Sequence, residues 1–167
     1  GEVIGVEGNL MNRSIETLLY NFTNNYDDTS CKLRFQIIDL NTEAQNCGTT
    51  LTGHRYTTDF TRRMVGKGAS KVQSIKNYTT KDDYIYRLTV VCVTIRRARS
   101  SQKRVIRKIM REVLKRFAKS LNHERFVEGM IFGEFENQIQ RIAKTIFPLF
   151  NCKIIKSKLV SMPEGGK

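Results

Sequence analysis

Tyr84 to Ile95 is the segment that most narrows the possible folds. Tyr84, Ile85, Tyr86, Leu88, Val90, Val91, Cys92, Val93 and Ile95 make it apolar, aromatic or β-branched at both parities. A strand that is apolar on both faces belongs in the middle of a sheet. After Ala98 the apolar period changes from 2 to 3.6. Gln102 to Leu121 then spells a long amphipathic helix, with Val105, Ile106, Ile109, Met110, Val113, Leu114, Phe117 and Leu121 as its buried face.

The remaining segments arrange themselves around this pair. Residues 1–12 lack a period and read as loop. Arg13 to Phe22 is a β-type run with Leu18, Tyr20 and Phe22 on one parity, and Asn24 to Asp28 is a turn. Lys32 to Ile37 alternates, with Leu33, Phe35 and Ile37 inward, as a half-buried strand does. Asn46-Cys47-Gly48 marks another turn and Thr49 to Tyr56 a further strand. Thr58 is placed as the cap of a short helix with Phe60, Met64 and Val65 inward, ended by Gly66 and Gly68. Ser70 to Thr79 reads as a strand and Lys81-Asp82-Asp83 as a hairpin tip. Beyond the long helix, Asn122 caps a helix carrying Phe126, Val127, Met130 and Ile131, and Gly133 breaks it. Glu134 to Phe147 forms another, with the stripe Phe135, Ile139, Ile142, Ile146 and with Glu134 and Glu136 suited to its N-terminal dipole. Cys152 to Val160 returns to β. Strands, then helices, then one strand predict an α+β fold. Its sheet is largely antiparallel and barrel-like, with a long basic amphipathic helix and two shorter C-terminal helices. A single domain over 1–167 is expected: 1–97 mainly β with one short helix, 98–148 helical, 149–167 a final strand and tail.

Charge points to a partner. The 167 residues hold 29 Lys and Arg against 16 Asp and Glu, a net of +13. The excess is uneven: residues 1–50 carry 3 cations and 7 acids, a net of −4, and residues 51–167 carry 26 and 9, a net of +17. A basic excess of this size calls for a polyanion, and the acidic part is expected to face away from it.

The densest cluster is Arg96 to Lys119: Arg96, Arg97, Arg99, Lys103, Arg104, Arg107, Lys108, Arg111, Lys115, Arg116 and Lys119, against Glu112 alone. Internal ion pairs cannot satisfy it. Arg104, Lys108, Arg111, Lys115 and Lys119 are spaced by 4, 3, 4 and 4, so they form one stripe along the helix. Like charges at that spacing repel, and an external counter-charge relieves the cost. The Arg forks match phosphate geometry. The competing reading is an ordinary solvated helix face. An anionic membrane surface is the third, and the wide apolar face argues against it. A second cluster, Arg62, Arg63, Lys67 and Lys71, surrounds Gly66 and Gly68, which would let backbone amides approach a phosphate. Lys67 is followed by Gly68, so this is not a Walker motif. There is no Trp and no RNP-like strand, which favours backbone and shape contact over base reading.

Other chemistry finds little support. Cys31, Cys47, Cys92 and Cys152 show no C-x-x-C spacing, and His54 and His123 lie far from them, so no metal or cofactor is expected. Cys92 reads as a buried thiol, and all four as reduced cysteines. His54 and Asp59 lack a third orienting group, so no catalytic residue and no enzymatic activity are assigned. No apolar run approaches membrane-spanning length and no secretory signal is visible. The chain opens on Gly1 rather than Met, and a further N-terminal arm is expected.

Ser14-Ile15-Glu16-Thr17-Leu18, Leu33-Arg34-Phe35, Asn46-Cys47, Leu51, Gly53, His54, Thr58 and Asp59 follow a familiar order. So do Lys76 through Val93, Gln102 to Lys108, and Ile146-Phe147-Pro148-Leu149. Together they resemble the eukaryotic and archaeal small-subunit ribosomal protein family S-three-a (eS-one), from about Ser14 to Val160. The resemblance implies a β-rich domain with packed helices on the platform of the small subunit, near the mRNA exit. The partners it implies are small-subunit rRNA and neighbouring ribosomal proteins, with mRNA and initiation factors as further candidates. It implies no enzymatic activity, and a cytoplasmic location with nucleolar assembly if the source is eukaryotic. Departures include Gly66-Lys67-Gly68 where an aromatic is expected, and Asp82-Asp83 in place of Asp-Gly. A free-standing RNA-processing enzyme subunit, or another RNA-binding protein, is the alternative.

Overall fold

The computed structural model describes residues 10–41 and 46–163. Two compact units divide the chain, Gly1–Arg55 and Tyr56–Lys167. The expected loop over residues 1–12 lies mostly outside the described residues.

The first unit holds β1 (Ser14–Leu18), β2 (Cys31–Asn41) and β3 (Asn46–Tyr56), in that spatial order. β1 and β2 pair antiparallel from Ser14 opposite Gln36 to Leu18 opposite Lys32. The alternation in β2 is as expected, with Leu33 and Ile37 buried. The β-type run before it is shorter than expected. Leu19 is the buried residue, α1 (Tyr20–Thr23) begins directly after it, and Phe22 is 63% exposed. Asn24 closes this helical turn at φ 53°, donating its N–H to Tyr20 O at 2.8 Å. A short 3-10 helix over Tyr26–Ser30 fills the expected turn. Asn46, Cys47 and Gly48 are not a turn but the start of β3. A Cβ at Gly48 would lie 3.2 Å from Asp39 Cβ, so this glycine serves close approach between strands rather than reversal. Across the strands Glu16 accepts from Arg34 at 2.6 Å and Arg55 at 2.8 Å. The Arg34 hydrogen bond, with Arg55 beside it, holds the Glu16 carboxyl below its ordinary range.

The second unit holds β4 (Lys71–Thr79), β5 (Ile85–Thr94) and β6 (Leu149–Ser161), ordered β6-β5-β4 and antiparallel. β5 is the central strand, and each of its faces is covered by different helices. Tyr86, Leu88, Val90 and Cys92 pack with Val72, Cys152 and Ile154 beneath α3 (Ser100–Ser120), α4 (His123–Ile131) and α5 (Glu134–Lys144). Val91 and Val93 point the other way, against Phe60, Met64 and Val65 of α2 (Thr58–Arg63) and the turn after it. That is why the run is apolar at both parities. Cys92 and Cys152 sit opposite one another in this core as free thiols. α2 takes Thr57 rather than Thr58 as its cap residue. β1 ends the strand order in the first unit and β4 in the second, so no barrel closes.

Helix faces depart from the expected stripes where alanine replaces a larger side chain. In α3 the buried set is Ile106, Met110, Val113, Leu114 and Ala118, while Val105 is 41% exposed. In α5 Phe135, Ile139 and Ala143 are fully buried, while Ile142 and Ile146 are each 40% exposed, and Ile146 lies past the helix end. Alanine lets a helix approach the sheet closely, which rotates its contact line away from a bulkier neighbour.

Glu136 lies in the first turn of α5 as expected, and it is also turned inward. Its carboxylate accepts the Ile154 N–H at 2.7 Å and Lys153 Nζ at 2.6 Å. Burial pushes its carboxyl above the ordinary range, against the pull of Lys153. Replacing Glu136 by Ala strands a buried backbone N–H and is expected to cost about 1–3 kcal/mol, whereas Glu136→Gln keeps an oxygen acceptor and loses less. Urea unfolding of the two variants checks this; equal losses would mean that the Ile154 bond contributes nothing.

Candidate nucleic-acid interface

The approach to α3 is built by hydrogen bonds that the cationic residues' own backbone makes. Thr94 Oγ1 donates to Arg96 O at 2.6 Å, and the Ala98 N–H donates to Ser70 Oγ at 3.1 Å. Arg99 is the N-cap residue, and its N–H donates to Gln102 Oε1 at 2.9 Å. Arg96, Arg97 and Arg99 are exposed on this pinned segment.

Along α3, Arg104, Lys108, Arg111, Lys115, Arg116 and Lys119 are exposed, and Lys103 and Arg107 are half-buried. The helix period therefore separates cations from core as expected. Two guanidiniums are tethered to β4: Arg107 Nε donates to Gln73 O and Arg111 Nε to Ser74 Oγ, each at 3.3 Å. A tethered Arg loses less rotamer freedom when it binds an anion. Between helix and strand lies a groove of about 460 Å³, lined by Lys76, Arg104, Arg107, Lys108, Arg111, Lys115 and Glu112. Six cations meet one carboxylate there. The ion pair between Lys108 and Glu112 is 3.9 Å long and exposed at both ends, so it neutralises little. Lys76 escaped sequence reasoning. Its only signal was its parity in β4, which it shares with Val72, Ser74 and Tyr78, and that is informative only once α3 is known to lie over that face.

The second cluster does not join the first. Arg62, Arg63, Lys67 and Lys71 are all exposed. α2 covers Val91 and Val93, on the sheet face opposite to the one beneath α3. Arg62 meets Asp59 at 4.0 Å on the surface. Of the two glycines beside Lys67, Gly68 has a left-handed backbone at φ 78°. The fifteen cations singled out in the sequence thus divide between two faces.

Among the described residues no three His, Cys, Asp or Glu side chains gather as metal ligands, and no helix is long and apolar enough to cross a membrane. A rigid basic helix on an α+β scaffold, its cations outward and largely unpaired, is the build of a polyanion-binding protein. Residues 3–163 match the Ribosomal S3Ae family. The small ribosomal subunit protein eS1 of Staphylothermus marinus is 36% identical over 160 residues, covering 95% of this chain and 74% of the relative. Its counterpart in Sulfurisphaera tokodaii is 35% identical over 153 residues, covering 92% and 78%. That of Saccharolobus solfataricus is 34% identical over 153 residues, covering 92% and 73%. The chain belongs to the Ribosomal S3Ae family.

Proposed function

We propose that this chain is a structural constituent of the small ribosomal subunit and binds small-subunit rRNA through the outward cations of α3. Family membership supports the ribosomal role, since the relatives carry the name small ribosomal subunit protein. The groove between α3 and β4, with six cations against one carboxylate, carries the choice of surface. Arg96, Arg97, Arg99, Lys103 and the α3 stripe make phosphate contacts along a backbone, and the apolar side of the same helix holds the core. Base stacking has no part in it, because no aromatic is among the residues that line the groove. The place is the platform near the mRNA exit, beside other ribosomal proteins, where mRNA and initiation factors pass. No catalytic step belongs to this role. It is carried out in the cytoplasm, with assembly in the nucleolus if the source is eukaryotic.

Sedimentation of tagged protein from cell extract tests the role. The chain is expected in the small-subunit fraction and its precursors, and ribonuclease is expected to release it. Recovery only at the top of the gradient, independent of ribonuclease, would overturn the proposal.

A further inference from the structure

The sheet face opposite α3 is only partly covered. α2 shields Val91 and Val93 at one end. Register places Ile75 opposite Thr89, Asn77 opposite Arg87, Thr89 opposite Lys156 and Arg87 opposite Lys158 on the remainder. Ile75, Asn77, Arg87, Lys156 and Lys158 are exposed there. Arg87 and Lys158 are a directly opposed like-charge pair, an arrangement that destabilises a sheet unless something outside neutralises it. Among the described residues, no carboxylate lies within ion-pair distance of Lys71, Arg87, Lys156 or Lys158. Arg87 Nε donates to Asn77 Oδ1 at 3.0 Å, which holds the guanidinium while leaving its terminal nitrogens for an outside acceptor. Arg62, Arg63 and Lys67 continue the positive surface on the α2 side.

We infer that this open sheet face is a second RNA-backbone surface, so that one chain bridges two RNA segments with the sheet of the second unit between them. Charge selects the occupant. Ile75 is the large apolar side chain exposed on this stretch of β4, too little for a hydrophobic protein interface. No aromatic stands on the uncovered stretch to stack a base, so the partner is a phosphate backbone read by shape and charge. Bridging rests on the rRNA reading of α3, and the sheet face stands on its own cations.

The test uses the full chain and short RNA duplexes of one length, too short to wrap around it, at low salt. Stoichiometry is measured by sedimentation, and bridging by energy transfer between donor- and acceptor-labelled duplexes. The wild type is expected to hold two duplexes and give transfer. The variant Arg87→Gln, Lys156→Gln, Lys158→Gln is expected to hold one, give no transfer and unfold no more easily than the wild type, since the opposed like charges are gone. The variant Arg104→Gln, Lys108→Gln, Arg111→Gln is also expected to hold one. A wild type that holds a single duplex, lost in the helix variant and kept in the sheet variant, overturns the second surface and leaves the helix reading intact. A duplex lost in the sheet variant alone overturns the helix reading and keeps the sheet face. A sheet variant that loses polyglutamate binding but holds two RNA duplexes makes the face a site for acidic protein and also overturns the inference.

Discussion

Phe135→Ala is expected to destabilise the second unit by about 3–5 kcal/mol. Phe135 is fully buried, with its ring 4.7 Å from Phe117 and 5.2 Å from Phe126. It therefore ties α5 to both α3 and α4. Truncation removes the buried area and leaves a cavity that three helix backbones cannot collapse to fill. Ile142→Ala, on the same helix but 40% exposed, is expected to stay within about 0.5 kcal/mol of the wild type. The contrast separates the observed contact line from the stripe that spacing alone suggests. Gly129 marks the other limit of this packing: a Cβ there would lie 2.7 Å from Phe135 Cε1. Gly129→Ala is accordingly expected to cost about 1–3 kcal/mol by overpacking. Urea midpoints at unchanged slope are the measurement. A Phe135→Ala loss no larger than that of Ile142→Ala would show that the aromatic cluster is not the keystone of the helical layer.

The triple variant Arg104→Gln, Lys108→Gln, Arg111→Gln is expected to leave the fold intact and to weaken rRNA binding. Each lost phosphate contact flattens the dependence of log affinity on log salt by about 0.7–0.9, so three contacts flatten it by about 2–3. Stability is expected to hold or rise slightly, since Arg104 and Lys108 are like charges one turn apart, a pair that costs a few tenths of a kcal/mol. The loss should be similar for RNAs of different sequence, because phosphates rather than base edges are contacted. Filter binding over a salt series, with RNAs of different sequence, checks the binding statements, and urea unfolding checks the stability. Unchanged affinity and slope would make the stripe a solvated face and send the search for the rRNA surface elsewhere.

The period change after Ala98 and the two-faced apolar run of β5 were legible in the sequence because each is a long pattern with one physical solution. The same holds for the separation of α3 cations from its core, which follows from 3.6 residues per turn. Short-range detail was less legible. Tyr20 opens a helical turn closed by the Asn24 N–H on Tyr20 O and by Thr23 Oγ1 donating to Asp28, bonds that the alternation of Leu18, Tyr20 and Phe22 does not reveal. Ala118 and Ala143 were overlooked because a small apolar residue carries little weight in a pattern, although it decides how closely a helix can lie. The burial of Glu136 was not legible, because its partners, Lys153 and Ile154, lie on β6, 17 and 18 residues away. Arg87, Lys156 and Lys158 are spread over two strands about 70 residues apart in the chain, so their grouping exists only in the sheet register.

The order β6-β5-β4 also sets a timetable. β4 and β5 are joined by a tight hairpin and can pair as soon as both are made, but the other edge of β5 waits for β6. At about 5–20 residues per second, the stretch from Thr94 to Ser161 takes several seconds to synthesise. Throughout that interval the nascent chain carries a long apolar strand with an unpaired edge, the kind of surface that recruits another strand. A message truncated before Leu149 therefore yields an adhesive fragment rather than a smaller version of the protein, and β6 is the segment that renders the strands made before it safe.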